Sequence, residues 1–369
     1  MASIRNKFML TRYPYYVYRE IKKKKEEREM FWKNAVKQFE EGDARHGNLK
    51  DYKEALNRYR FLYEEYDAYK LWNIDRKRWG EFISEREIQC IYRKTIQPNV
   101  ARCFTDKIRE LVIFKKYVHR KWMDPREVTF DEFKNFVEST DCIAKPRGGT
   151  QGQHVFLVKK NEKTSLKDLY DFCCEHYIIV EEYLRACAEI EEFHPQSLNT
   201  IRVFTISKDS KVEILDSEFR MGVHDNVVDN AHRGGILASI DIETGALYRN
   251  GADMLGNEYM VHPDTGKTIK GFVIPHWAEI VKICKDAAAF VPEAIFAGWD
   301  VCVRPDGQIE LIEVNAFPGV MGLQTARQKG LKPRLQQLGE EVLGYNPLKL
   351  ISVLSRSFVK YEGKYGHFF

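Results

Sequence analysis

The chain has 369 residues, 44% apolar and 30% charged, with a formal net charge of +4; this length can bury a real core in two or three domains, and the composition excludes a mainly disordered polypeptide. A pI near 8.4 is too mild to mark a nucleic-acid binder, so no nucleic-acid partner is expected, but it leaves room for an anionic substrate. Eight cysteines without a CxxC pair read as reduced thiols, and no apolar run approaches the roughly 20 residues of a membrane span, nor does the N-terminus show a signal segment, so a cytoplasmic location is expected.

In chain order, residues 1–25 interleave Arg5, Lys7, Arg12, Arg19 and Lys22 to Lys25 with Phe8, Tyr13, Tyr15, Tyr16 and Tyr18. That mixture suits weak peripheral contact with an anionic membrane surface, although a solvated helix end has the same composition. From 19 to 95 the apolar residues recur at helical spacing, as in Phe31, Trp32, Ala35, Val36 and Phe39, and again in Leu56, Tyr59, Leu62, Tyr63 and Tyr66. The pattern predicts an N-terminal helical region over 1–100 whose aromatic stripe is a packing face. After Pro98, short β-rich runs alternate with amphipathic ones: helices over 107–118 and 131–138, strands over 142–145 and 154–158, a helix over 165–175 capped by Ser165, and an extended run over 177–181. These make a first α+β unit, 101–185. A second, 186–335, holds strands over 200–206 and 212–216, a long loop around 229–235, a helix over 276–290 and an acidic hairpin; a helical tail, 336–369, follows. The fold class is α+β with a helical region in front.

Four stretches carry candidate chemistry. In AKPRGGTQGQHV, Lys145 ends a strand and Gly148, Gly149, Gln151 and Gly152 follow before the next strand; freed backbone N–H groups there approach phosphate closely, and a strand lysine pairs with its charge. In IIVEEYL, the run Glu181, Glu182, Tyr183, Leu184 is an extended linker suited to a purine edge, with Glu181 or Glu182 accepting from the exocyclic amine. Arg202 stands among apolar neighbours in SLNTIRV and needs either a structural carboxylate or a phosphate to clamp. Arg220 follows in SEFRMGV, and Asn230, His232 and Arg233 follow in VDNAHRGG. His194, Ser197, His276 and Gln324 are further candidates for the substrate pocket by position alone.

The fourth stretch is AGWDVCVRPDGQIELIEVN. A two-residue turn at Asp306-Gly307 sets Arg304 against Ile309, Val301 against Ile312 and Asp300 against Glu313. Opposed carboxylates repel unless something positive lies between them. With Asn315 on the same face they offer only oxygen ligands, the set that suits Mg2+ shared with substrate phosphates.

Taken in order, Lys107, the Lys145 glycine loop, the Glu181-Glu182 linker, Arg202, and Asp300 with Glu313 and Asn315 resemble the ATP-grasp superfamily of carboxylate-amine ligases. SLNTIRV, VDNAHRGG, the IPHW helix start, GWDV and IEVN are similar to its sugar-transfer-associated subgroup. The resemblance covers about residues 100 to 330 and implies an ATP-grasp fold, two α+β subdomains clasping ATP. It implies Lys107 and Lys145 on the α- and β-phosphates, the glycine loop as a lid, Mg2+ on Asp300, Glu313 and Asn315, and Arg202, Arg220 and Arg233, with Asn230, at an acyl phosphate. It also implies small or sugar-linked carboxylate and amine substrates, with polysaccharide-biosynthesis enzymes as partners. Phosphotransfer without ligation, and a nucleotide-binding scaffold, are the alternatives. The N-terminal helical region departs from the domain that precedes many ATP-grasp cores.

Overall fold

The computed structural model describes residues 33, 34, 36, 37, 39, 40, 46–148, 154–160 and 165–351. The basic-aromatic tract of 1–25, the glycine-loop residues Gly149, Gln151 and Gly152, and the aromatic C-terminus lie outside them. Among the described residues, no helix is long and apolar enough to cross a membrane.

The N-terminal part is helical, and its aromatic stripe from Leu56 to Tyr66 packs inward as expected; Phe31, Trp32 and Ala35 lie outside the described residues. Asn48 accepts the Asp51 N–H to start Leu49–Glu54, and Ser84 with Glu87 forms a capping box on Glu85–Thr95, each satisfying N–H groups that a helix start leaves open. Tyr52, Phe61, Tyr66, Tyr69, Trp79 and Phe82 form a fully buried aromatic cluster. Trp79 Nε1 donates to Leu71 O at 3.0 Å, which meets the ring's one polar requirement.

A small antiparallel sheet follows: β1 (Trp122–Met123), β2 (Cys142–Pro146), β3 (Phe156–Val158) and β4 (Ile178–Glu182), in spatial order β1-β4-β2-β3. Alternation along β2 decides which side chains do what. Cys142 and Ala144 pack with Phe133 and Val137 of helix Phe130–Ser139 and with Leu169 and Cys173 of helix Leu166–Glu175; Ile143 and Lys145 line a cleft instead.

The large sheet has seven antiparallel strands: β5 (Ile201–Lys208), β6 (Lys211–Met221), β7 (Ile236–Ser239), β8 (Gly251–Ala252), β9 (Glu258–Tyr259), β10 (Phe296–Val303) and β11 (Ile309–Asn315), in spatial order β11-β10-β5-β6-β7-β8-β9. Helix Trp277–Phe290 buries Ile280, Cys284 and Ala287 in the same core as Ile201, Val203, Trp299 and Val301. Ile83, Ile88, Phe104 and Phe114 join this large core, so the segment just before the small sheet belongs, by packing, with the large one. All eight cysteines are free.

Candidate functional site

The site is built on the β10–β11 hairpin, whose register differs from the expected one and then returns to it. Its turn has three residues, Pro305 to Gly307, closed by the Arg304 N–H donating to Gln308 O at 2.8 Å, with Gly307 at φ +83°. Arg304 therefore faces Gln308, and Val301 pairs with Leu311, one residue off the two-residue-turn expectation. An irregularity between Asp300 and Val301 leaves Ile312 as an extra residue on β11, a β-bulge. Beyond it Asp300 pairs with Glu313, as expected, and Gly298 with Asn315.

The pairing continues across the sheet from Asp300 to Arg202 on β5, from Arg202 to Glu218 on β6, and from Glu218 to Ser239 on β7. Directly opposed side chains share a face, so one line across the sheet reads acid, acid, cation, acid, hydroxyl. Arg202 grips both oxygens of Asp300, Nε to Oδ1 and Nη2 to Oδ2 at 2.5 Å each, and Arg220 Nη1 reaches Oδ2 at 3.1 Å. Burial alone pushes the Asp300 carboxyl up, but the two guanidinium groups outweigh it and hold the group below its ordinary value. Of the two readings of Arg202, the carboxylate partner is thus realised within the chain. Glu218 is 4% exposed with no hydrogen-bond partner for Oε2 among the described residues, and burial pushes it up despite Arg202 and Arg220.

On the opposite side, Lys145 Nζ lies 2.9 Å from Glu181 Oε1 and Arg120 Nε lies 2.6 Å from Glu181 Oε2. Desolvation raises Glu181, yet Arg120 and then Lys145 bring it down to about 2. Glu181 thus anchors Arg120 and Lys145 from the cleft wall, and its buried Oε1, in ion-pair reach of Lys145, has no hydrogen-bond partner among the described residues. Glu182 is half-buried and its Oε2 accepts from Lys121 N at 3.2 Å. Arg120 goes on to Glu310 Oε1 at 2.8 Å, Leu311 O at 2.6 Å and Ile312 O at 3.1 Å, which ties the linker strand to the bulged hairpin. Lys107 opens helix Lys107–Ile113; its N–H donates to Arg147 O at 3.0 Å, and Asp106, which caps the helix, holds the Arg147 guanidinium at 2.8 and 2.6 Å.

The two walls enclose one cleft. Lys107, Lys145, Glu181, Glu182, Tyr183 and Leu184 line it from one side, and Arg202, Arg220, Asn230, Asp300, Glu313 and Asn315 from the other. Arg233 does not join them. It is exposed at the end of the turn Ala231–Arg233, where its N–H closes onto Asn230 O at 2.9 Å, so the hydrogen-bonded turn separates it from the wall that Asn230 reaches. Gly148 is also exposed and off the wall. His194, Ser197, His276 and Gln324 line none of it. His194 is bonded to Ser197 Oγ at 2.9 Å, and Gln324 receives the Ile83 and Leu331 N–H groups at 3.0 and 3.1 Å.

Sequence reading missed Arg120, Thr200 and Asp229, all on the cleft wall. Arg120 sits in the run KKYVHRKW, which looks like solvated charge; only its distant partners distinguish it. Asp229 and Thr200 lay inside stretches already singled out, overshadowed by the cations beside them.

The residues present fit a magnesium nucleotide. Glu313 and Asn315 bring hard oxygen donors to the wall beside Asp300, whose own oxygens Arg202 and Arg220 hold, and the Asn315 Nδ2 is buried with no hydrogen-bond partner among the described residues, an amide end left for a group outside the chain. A family profile described as sugar-transfer associated ATP-grasp matches residues 103–340. The chain belongs to this ATP-grasp family. Its α+β architecture, with the N-terminal helical region in front, is accordingly the ATP-grasp fold. No curated protein matches the sequence. Among solved structures, the ATP-grasp ligase PsnB with minimal precursor, Mg and ADP is 15% identical, with 69% of this chain and 62% of that chain covered and a TM-score of 0.41. The ADP complex of purK, N5-carboxyaminoimidazole ribonucleotide synthetase, is 11% identical over 68% and 58%, TM-score 0.41. An L-amino acid ligase from Bacillus licheniformis is 14% identical over 69% and 48%, TM-score 0.38. The chain thus spans 62% or less of these ligases' own lengths.

Proposed function

We propose that the chain is an ATP- and magnesium-dependent ligase that joins a carboxylate to an amine through an acyl phosphate, in the modification of a polysaccharide or glycoconjugate. The observation that carries this reading is the meeting, in one cleft, of Lys107 and Lys145 with the Asp300, Glu313 and Asn315 oxygens and the Arg202–Arg220 pair. The family's association with sugar transfer supports the setting, which is a cytoplasmic one with polysaccharide-biosynthesis enzymes as partners.

Each group has a task set by its chemistry. Lys107 and Lys145 hold the α- and β-phosphate oxygens, and Glu181 keeps Lys145 pointed along the cleft. Glu182, Tyr183 and Leu184 border the purine. Asp300, Glu313 and Asn315 would hold magnesium, which would supply charge neutralisation at the phosphate oxygens. Arg202 and Arg220, fixed by Asp300, present their remaining N–H groups to the substrate carboxylate as it attacks the γ-phosphorus and ADP leaves. Phosphoryl transfer is promoted mainly by such positioning and electrostatics. The amine then displaces phosphate from the acyl carbon.

An ADP-release screen across amino acids, uronic acids and amino sugars, with mass spectrometry of any conjugate, tests the reading. ADP formation that requires both an acid and an amine is expected. AMP with pyrophosphate, or no nucleotide binding, overturns it; a stable phosphorylated product without amine dependence assigns phosphotransfer instead.

A further inference from the structure

We infer that Asp229 receives the amine substrate as its ammonium ion and takes up the first proton it loses; the inference rests on the ligase reading. The carboxylates on the cleft wall are Glu181, Glu182, Asp229, Asp300 and Glu313. Glu181 is bound by Arg120 and Lys145, and Asp300 by Arg202 and Arg220. Glu313 stands opposite Asp300 on the hairpin, within the oxygen set that suits a metal. Glu182 lies on the linker strand, on the Lys145 side.

Glu182 too is held by a neutral donor, the Lys121 N–H, but from the opposite wall; Asp229 is the carboxylate with neutral donors on the side of the arginines. It comes from the segment after β6, on the wall of Thr200, Arg220 and Asn230, and its Oδ2 accepts from the Thr200 N–H at 2.6 Å and from the Thr200 hydroxyl. Both donors are neutral, and among the described residues no cation pairs with Asp229. Two hydrogen bonds to Oδ2 fix the carboxylate without cancelling its charge, and the residue lines the cleft. A carboxylate kept within the field of Arg202 and Arg220, yet not neutralised by either, is a site for a cation that arrives with the substrate. Val227 and Val228 line the same wall.

The chemistry of amide formation supplies that cation. Most primary amines are ammonium ions near neutral pH and nucleophilic only after losing a proton. Here one ammonium proton passes to the Asp229 carboxylate, which returns it to solvent after turnover. The nitrogen lone pair then forms the C–N bond as the C–O bond to phosphate breaks. The leaving phosphate keeps that electron pair and carries off the second proton as hydrogen phosphate.

The test compares Asp229→Asn with the unaltered full chain, giving each ATP, magnesium and the acids of the screen, with either hydroxylamine or the screen's amino acids and amino sugars as nucleophile. Hydroxylamine is neutral near pH 7.5 and captures the acyl phosphate as a hydroxamate without an ammonium site. The expected result is a fall of about 10²-fold in the ratio of amide to hydroxamate, carried by the amine's kcat/KM. Thr200→Val, which removes one of the two bonds to Asp229, is expected to lower the ratio in the same direction by a smaller factor. An unchanged ratio in Asp229→Asn, or equal loss of both products in both variants with an unshifted melting temperature, overturns the assignment. Absence of both hydroxamate and ADP in the unaltered chain instead overturns the ligase reading beneath it.

Discussion

The N-terminal helical region and the cleft both bury carboxylates, and they handle them in opposite ways. Glu65, 3% exposed, is held by backbone donors: Oε1 accepts from the Glu85 N–H at 2.7 Å and Oε2 from the Leu62 N–H at 2.8 Å, with Arg86 acting on it only as a weaker, more distant charge. Desolvation outweighs those two bonds and raises the group to about 8. Glu181, 4% exposed, is gripped by Arg120 and Lys145 and lowered to about 2. Backbone donors alone stitch one segment to the next and let the acid give up its charge, whereas full cations preserve a charge that a reaction can use. The first arrangement is cement; the second keeps a buried field in place.

Glu313→Gln should sharpen this contrast most, because Glu313 serves the reaction. ADP release is expected to fall by about 10²-fold or more while the melting temperature hardly moves; unaltered turnover would remove Glu313 from the metal set. Arg120→Met should break the cleft's arrangement through stability, since it strands Glu181 and Glu310 in the interior. A loss of about 3–5 kcal/mol is expected in a urea titration, and a loss below about 1 kcal/mol would show that the pairs contribute little. Lys145→Ala should weaken nucleotide binding by about ten- to a hundredfold, read by calorimetry; an unchanged affinity would take it out of the site.

The smallest effect is in pH. Glu65 has its folded value raised, so its contribution is complete below the ordinary carboxyl range and is lost as pH climbs through about 8. Glu181 and Asp300 are lowered, so theirs is present above the ordinary range and is lost as pH falls through it. Melting temperature should therefore decline at both ends, and Glu65→Gln should flatten only the alkaline side. A Glu65→Gln profile that still declines there as steeply would place the titrating group elsewhere.

Local pattern made the secondary structure legible. Ser165 starts its helix and Cys142 and Ala144 alternate with Ile143 and Lys145, because capping and pleating are decided within a few residues. The pairing of Asp300 with Glu313 was legible for the same reason, being carried by one hairpin. Arg120 was not: its carboxylate partners lie 61 and 190 residues away, and nothing near it in sequence separates a buried cation from a solvated one. Arg233 failed in the other direction, since only the closed turn after Asn230 shows which residue of VDNAHRGG faces the cleft.

The single extra residue at Ile312 couples the tip of the hairpin to its chemistry. If the ladder from the three-residue turn ran on without interruption, Glu313 would fall opposite Trp299, a side chain with no exposed surface, and its carboxylate would enter the apolar interior beside Phe114. Instead Leu311 and Val314 stay inside while Glu313 and Asn315 emerge. Tip and bulge are therefore set together: Asp306 is largely exposed, yet a two-residue turn there would bring Glu313 opposite Asp300 with no extra residue, whereas the three-residue turn needs the one at Ile312.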